Sequence, residues 1–63
     1  MDRVQHYLNL LHTGKTCCKG FTYSVRMNGS TWFMYKTAPN GSAIGKIAGS
    51  LTDAILLALD SIY

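Results

Sequence analysis

Phe21 to Thr37 reads FTYSVRMNGSTWFMYKT, and its reading decides the fold. Residues alternate on both sides of Asn28-Gly29 with the period of a half-buried strand. Asn-Gly between two such runs is a strong hairpin signal, because a type I′ turn needs two residues at positive φ. The chain has two phenylalanines, four tyrosines and one tryptophan, and five of these seven rings fall in this stretch. A two-residue loop at Asn28-Gly29 pairs Met27 with Ser30, Val25 with Trp32 and Tyr23 with Met34. Phe21, Tyr23, Val25, Trp32 and Met34 then share one face, assigned to the core. Thr22, Ser24, Arg26, Thr31, Phe33 and Tyr35 share the other, polar on one strand and aromatic on the next. A bulged three-residue loop would shift the pairing by one residue and change these partners.

Outward from the hairpin, the N-terminal segment is helical. Asp2 is a capping residue and Gln5, three on, completes a capping-box pattern. Val4, Tyr7, Leu8 and Leu11 recur at helical spacing as an apolar stripe, widened by Leu10. Arg3, Gln5, His6, Asn9 and His12 lie largely off it. Gly14 suits the position after a helix end, which sets a helix over 2–13. Lys15 to Lys19 reads as a basic connector holding Cys17 and Cys18. Gly20 frees the backbone before strands over 20–27 and 30–37. Pro39-Asn40-Gly41 is a turn signal. Ala43 to Ala48 reads either as a short third strand, over 43–48, or as an irregular lead into the last helix. Ser50 with Asp53 three on marks a helix start, and Leu51, Ala54, Ile55, Ala58, Leu59 and Ile62 form a wide core stripe over 51–62. Leu56 and Leu57 flank its polar side, and Tyr63 falls near Leu56 and Leu59. The expected fold is one α+β domain over 1–63, two-layered, in the order α-β-β-(β)-α.

Composition narrows the function classes. A chain of 63 residues buries roughly 60% of its unfolded surface and is marginally stable alone. It is 48% hydrophobic and 14% charged, which disfavours disorder and favours burial against a second copy or a partner. No apolar run approaches the roughly 18 residues of a membrane span. The N-terminus does not read as a signal sequence, so a cytoplasmic protein is expected. Two adjacent cysteines cannot staple distant segments, which agrees with a reducing compartment. Net charge is +3: six cations face Asp2 alone before residue 47, while Asp53 and Asp60 have no cation after it.

Catalytic chemistry finds little to work with, and no enzyme is expected. The chain has no glutamate, two of its three aspartates are helix-cap candidates, and neither histidine has an acid or nucleophile at an interpretable spacing. Gly41-Ser-Ala-Ile-Gly45-Lys46 resembles a phosphate loop but has a three-residue spacer and Ile47 where the motif needs Ser or Thr. Free N–H groups at Gly49 to Leu51, near Lys46, could hold an anion, with capping the plainer use. His6, His12, Cys17 and Cys18 supply donors enough for zinc. Their spacing argues against it: the histidines stand about 120° apart on a helix, and adjacent cysteines chelate poorly. Two surface imidazoles and two semi-buried thiols are the plainer reading, so no metal or cofactor is expected.

The aromatic hairpin, the Gly-rich lead and GSLTDAILLAL resemble small phage-encoded proteins of the ABA-sandwich type. Trp32, Ser50, Leu51, Asp53, Ala54 and Ile55 carry that likeness, and they also resemble the sheet-to-helix half of HicB-type antitoxins. The antitoxin pattern departs here in lacking a clear third strand and a DNA-binding segment. The phage resemblance implies a small accessory protein, acting in the host cytoplasm by binding a host protein.

Two functions follow. The first is a non-enzymatic protein-binding module, an accessory or inhibitor protein acting as a homodimer. Its contact residues would be Phe33, Tyr35 and Arg26 on the outer sheet face and Leu56, Leu57 and Tyr63 on the last helix, since aromatics and arginine anchor interfaces. The alternative is a nucleic-acid-binding module that uses Arg26, Lys36, Lys46, Lys15 and Lys19 around the aromatic face. The α-β-β-β-α order also resembles the double-stranded RNA-binding domain. That module's last helix opens with lysines, whereas this one opens Ser50-Leu51-Thr52-Asp53, which disfavours phosphate docking there.

Overall fold

The computed structural model describes residues 3–63. The elements are α1 (Arg3–Thr13), β1 (Lys15–Cys18), β2 (Phe21–Asn28), β3 (Thr31–Thr37), β4 (Ala43–Ala48) and α2 (Leu51–Ile62). The strands form one antiparallel meander in the order β1-β2-β3-β4, and α2 packs across β2, β3 and β4 while α1 lies beside it on β1. The α+β two-layer architecture is as expected, with the third strand present as β4 and a further strand added.

That further strand is β1, where the sequence reads as a connector. Lys19 and Gly20 both take positive φ, 54° and 84°, as a two-residue type I′ turn requires. Cys18 therefore pairs with Phe21 and Thr16 with Tyr23. The turn tolerates Lys19 in the left-handed region because Gly20 supplies the second positive φ at no steric cost.

The central hairpin closes one residue later than Asn28-Gly29. Gly29 has φ 67°, and Ser30 is not among the positive-φ residues. This is the pattern of a type II′ turn with Gly at its first central position. Asn28 now pairs with Thr31, Met27 with Trp32, Val25 with Met34 and Tyr23 with Lys36. Each partner has moved by two residues, so with a side-chain period of two the faces survive the shift. Val25 and Met34, facing each other, are both buried.

Helix α1 corrects the sequence reading most sharply. Its buried residues are His6 and Leu10. Val4 (66% exposed), Tyr7, Leu8 and Leu11 are all exposed. At 3.6 residues per turn, Val4, Leu8 and Leu11 stand about 140–160° from His6, on the far side from the sheet. The reason is a polar latch: His6 Nδ1 lies 2.7 Å from Thr16 Oγ1 in the buried layer, and Asn9 Nδ2 donates to the same oxygen at 3.3 Å. Gly14, at φ 76°, ends the helix with its N–H bonded to the Leu10 carbonyl at 3.0 Å, an αL cap. The expected cap at Asp2 lies outside the described residues.

Helix α2 follows its pattern. The Ser50 side chain accepts from the Asp53 N–H at 3.2 Å, and Ala54, Ile55, Ala58, Leu59 and Ile62 are buried. With Leu10, Tyr23, Val25, Met34 and Ala48 they make the buried core among the described residues, of which three members are alanines.

Candidate functional site

The site residues read from the sequence fall on two surfaces. On the outer sheet face, cross-strand pairing sets Arg26 opposite Phe33 and Ser24 opposite Tyr35. Phe33 and Tyr35 stack with centroids 5.9 Å apart, and the Arg26 guanidinium lies 5.4 Å from the Tyr35 ring centre. Tyr35 can lie flat because its β4 partner is Gly45, where an added Cβ would come 2.9 Å from the ring. Ile47, 72% exposed, stands opposite Phe33 and extends the apolar strip to the sheet edge. Such a guanidinium-over-ring contact is worth about 0.5–1 kcal/mol at an exposed site, so it orders Arg26 more than it stabilises the fold.

The structure divides the basic residues. Lys15 and Arg26 share the outer face, and Lys19 sits in the turn beside it. Lys36 and Lys46 alternate onto the helix side, paired with Tyr23 and Met34. The Lys36 ammonium lies 4.5 Å from the Phe21 ring centre and 5.7 Å from that of Tyr23. The aromatic platform thus keeps two of the five cations.

The second surface is the helix layer. Leu56 is exposed and Leu57 is half-buried against the core, so of the two only Leu56 is offered to solvent. Leu56 and Leu59 of α2 line a hollow of about 260 Å³ with Arg3, Val4 and Tyr7 of α1. The exposed Tyr63 ring lies 6.2 Å from that of His6 and 5.6 Å from the guanidinium of Arg3, one of the residues lining this hollow. Leu8 and Leu11 continue the apolar surface along α1. The sequence shows these α1 residues as a stripe, and periodicity alone does not tell which side of the helix meets the sheet.

The remaining motifs do not assemble into a site. Gly41 to Lys46 runs from a turn into β4. Cys17 and Cys18 are unbridged and point to opposite faces of β1. His6 is buried against Thr16 and is no surface imidazole, while His12 is exposed. Among the described residues, no three His, Cys, Asp or Glu side chains come together. No described helix is long and apolar enough to cross a membrane. Comparison with known protein families, curated proteins and solved structures finds no match to the chain.

Proposed function

We propose that this chain is a non-enzymatic protein-binding module, a phage-type accessory or inhibitor protein, that works as a homodimer and covers an apolar surface of a host protein with its helix layer. One observation carries the reading. Helix α1 buries a histidine and turns Val4, Leu8 and Leu11 to solvent, although exchanging the two sides would bury more apolar surface. An isolated domain gains from apolar burial at about 25 cal/mol per Å², so a short chain with a small core forgoes stability by this arrangement. Contiguous exposed apolar surface of this kind marks an interface. Arg26, Tyr35 and Phe33 provide a second contact surface on the opposite side.

The test is capture from bacterial lysate with matched variants. A protein retained saturably by the wild type and lost with Leu8→Glu supports the reading. Retention of every specific partner by Leu8→Glu, Leu11→Glu and the Phe33→Ala, Tyr35→Ala pair removes both surfaces. The ordered Arg26-Tyr35-Phe33 stack favours one competing reading, a platform for unpaired bases, which a single-stranded oligonucleotide tests directly.

A further inference from the structure

The two edges of the sheet are finished differently. In an antiparallel ladder, residues alternately direct their N–H and C=O groups to one neighbour or the other. The Gly14 carbonyl accepts from the Val25 N–H at 2.9 Å, so on β1 it is Lys15 and Cys17 that face outward. That edge is four residues long, and the Thr13 hydroxyl donates to the Lys15 carbonyl at 3.1 Å. Short length, a lysine and an occupied carbonyl are devices that keep an edge from pairing.

The β4 edge is longer and has no occupied outward carbonyl among the described residues, and its one lysine, Lys46, turns its own N–H and C=O inward to β3. Ala38 N–H donates to the Ser42 carbonyl at 2.7 Å across the connecting turn, so by alternation Ile44, Lys46 and Ala48 bond inward to β3. Ala43, Gly45 and Ile47 direct their N–H and C=O groups outward. The strand is six residues long, with all but Ala48 exposed, and it ends in no bulge. Ile44 and Ile47 are 64% and 72% exposed, one on each side of it. A long exposed edge with apolar side chains is a template for another strand.

We infer that a second copy of this chain fills it: two β4 strands pair antiparallel about a two-fold axis at Gly45, joining two four-stranded sheets into one of eight. This assignment rests on the homodimer reading above and names the element that makes the dimer. The sequence Ala43-Ile-Gly-Lys-Ile-Ala48 is suited to its own reverse. With Gly45 facing Gly45 of the second copy, Ala43 faces Ile47, so a small residue meets a large one on the outer side. On the helix side Ile44 faces Lys46, which keeps the one charge of the strand from lying directly opposite itself. The outward groups of Ala43, Gly45 and Ile47 all find partners in this register, and an isologous contact closes at two copies without growing into a fibre. The Phe33-Tyr35 strips of the two copies become one band across the dimer.

Sedimentation equilibrium and amide hydrogen exchange on the full chain test this together. The wild type is expected to be dimeric at high micromolar concentration. Exchange at the Gly45 and Ile47 N–H groups should slow by about tenfold or more between low micromolar and millimolar protein, because in the single chain they face water. Ala43→Pro removes one outward N–H at the first position of an edge strand, where proline is tolerated. It and Ile47→Lys should both shift the mass to monomer with the circular dichroism of the fold retained. A wild type monomeric throughout overturns the assignment and the homodimer reading together. A dimer whose Gly45 and Ile47 exchange is independent of concentration, or one that survives both variants and is broken by Leu8→Glu, overturns the β4 assignment alone.

Discussion

His6 is the residue whose position explains most about α1. It is 1% exposed, its Nδ1 is tied to the Thr16 hydroxyl, and its Nε2 has no hydrogen-bond partner among the described residues. A buried polar atom without a partner costs about 1–3 kcal/mol, so the Thr16 bond is what makes the site tolerable. Thr16→Val keeps the shape and removes the hydroxyl, leaving both imidazole nitrogens and the Asn9 contact unsupported. The expected loss is about 1–3 kcal/mol, read as a lower urea midpoint with an unchanged slope. A midpoint unchanged from the wild type would show that the latch does not hold α1. None of this was legible in the sequence. A histidine among Gln5, Asn9 and His12 reads as polar surface, and its partner lies in a segment, Lys15 to Cys18, that lacks strand alternation.

At the scale of elements, what the sequence made readable was face and periodicity, and what it hid was side and register. Ser50, Asp53 and the α2 stripe located that helix because a cap and a wide apolar face both point the same way. The central hairpin kept its faces through a two-residue slip because side chains repeat every two residues, so composition could not separate Asn28-Gly29 from Gly29-Ser30. β4 stayed open as a reading because Gly45 and two alanines carry little strand preference. For α1 the stripe was readable, but which side meets the sheet was not, and His6, read as a surface imidazole, is buried. Two leucines two positions apart measure this directly. Leu10→Ala should cost about 2–5 kcal/mol, since Leu10 is 1% exposed and fills the core between α1 and the sheet. Leu8→Ala, on the far side, should stay within about 0.5 kcal/mol in the single chain. Thermal unfolding of dilute protein distinguishes them, and equal losses for the two would mean that the outward side of α1 is already packed.

At the scale of the whole molecule, the division of charge between the two layers gives the protein-binding and the nucleic-acid readings different expected salt dependences. The sheet's outer face carries Lys15 and Arg26 around its aromatic stack, and Lys36 and Lys46 stand behind it on the helix side. A single strand laid on the outer face can neutralise two phosphates there. One that engaged all five candidate cations, Lys19 included, would have to reach around the sheet. Each phosphate contact on a single strand contributes about 0.7 to the slope of log affinity against log salt, so two contacts give a slope of about 1.4 and five give about 3.5. Fluorescence anisotropy with a random single-stranded oligonucleotide, titrated from low to physiological salt, reads this slope. The expected outcome is weak binding with the shallow slope, vanishing near physiological salt and abolished by Arg26→Ala. Tight binding with the steep slope would make the nucleic-acid reading the better one, because the cations would then act together despite lying on two faces. A shallow slope leaves the Arg26-Tyr35-Phe33 stack with too little charge to hold a polyanion in a cell, and a protein surface as the ligand that its mostly apolar, weakly charged chemistry fits.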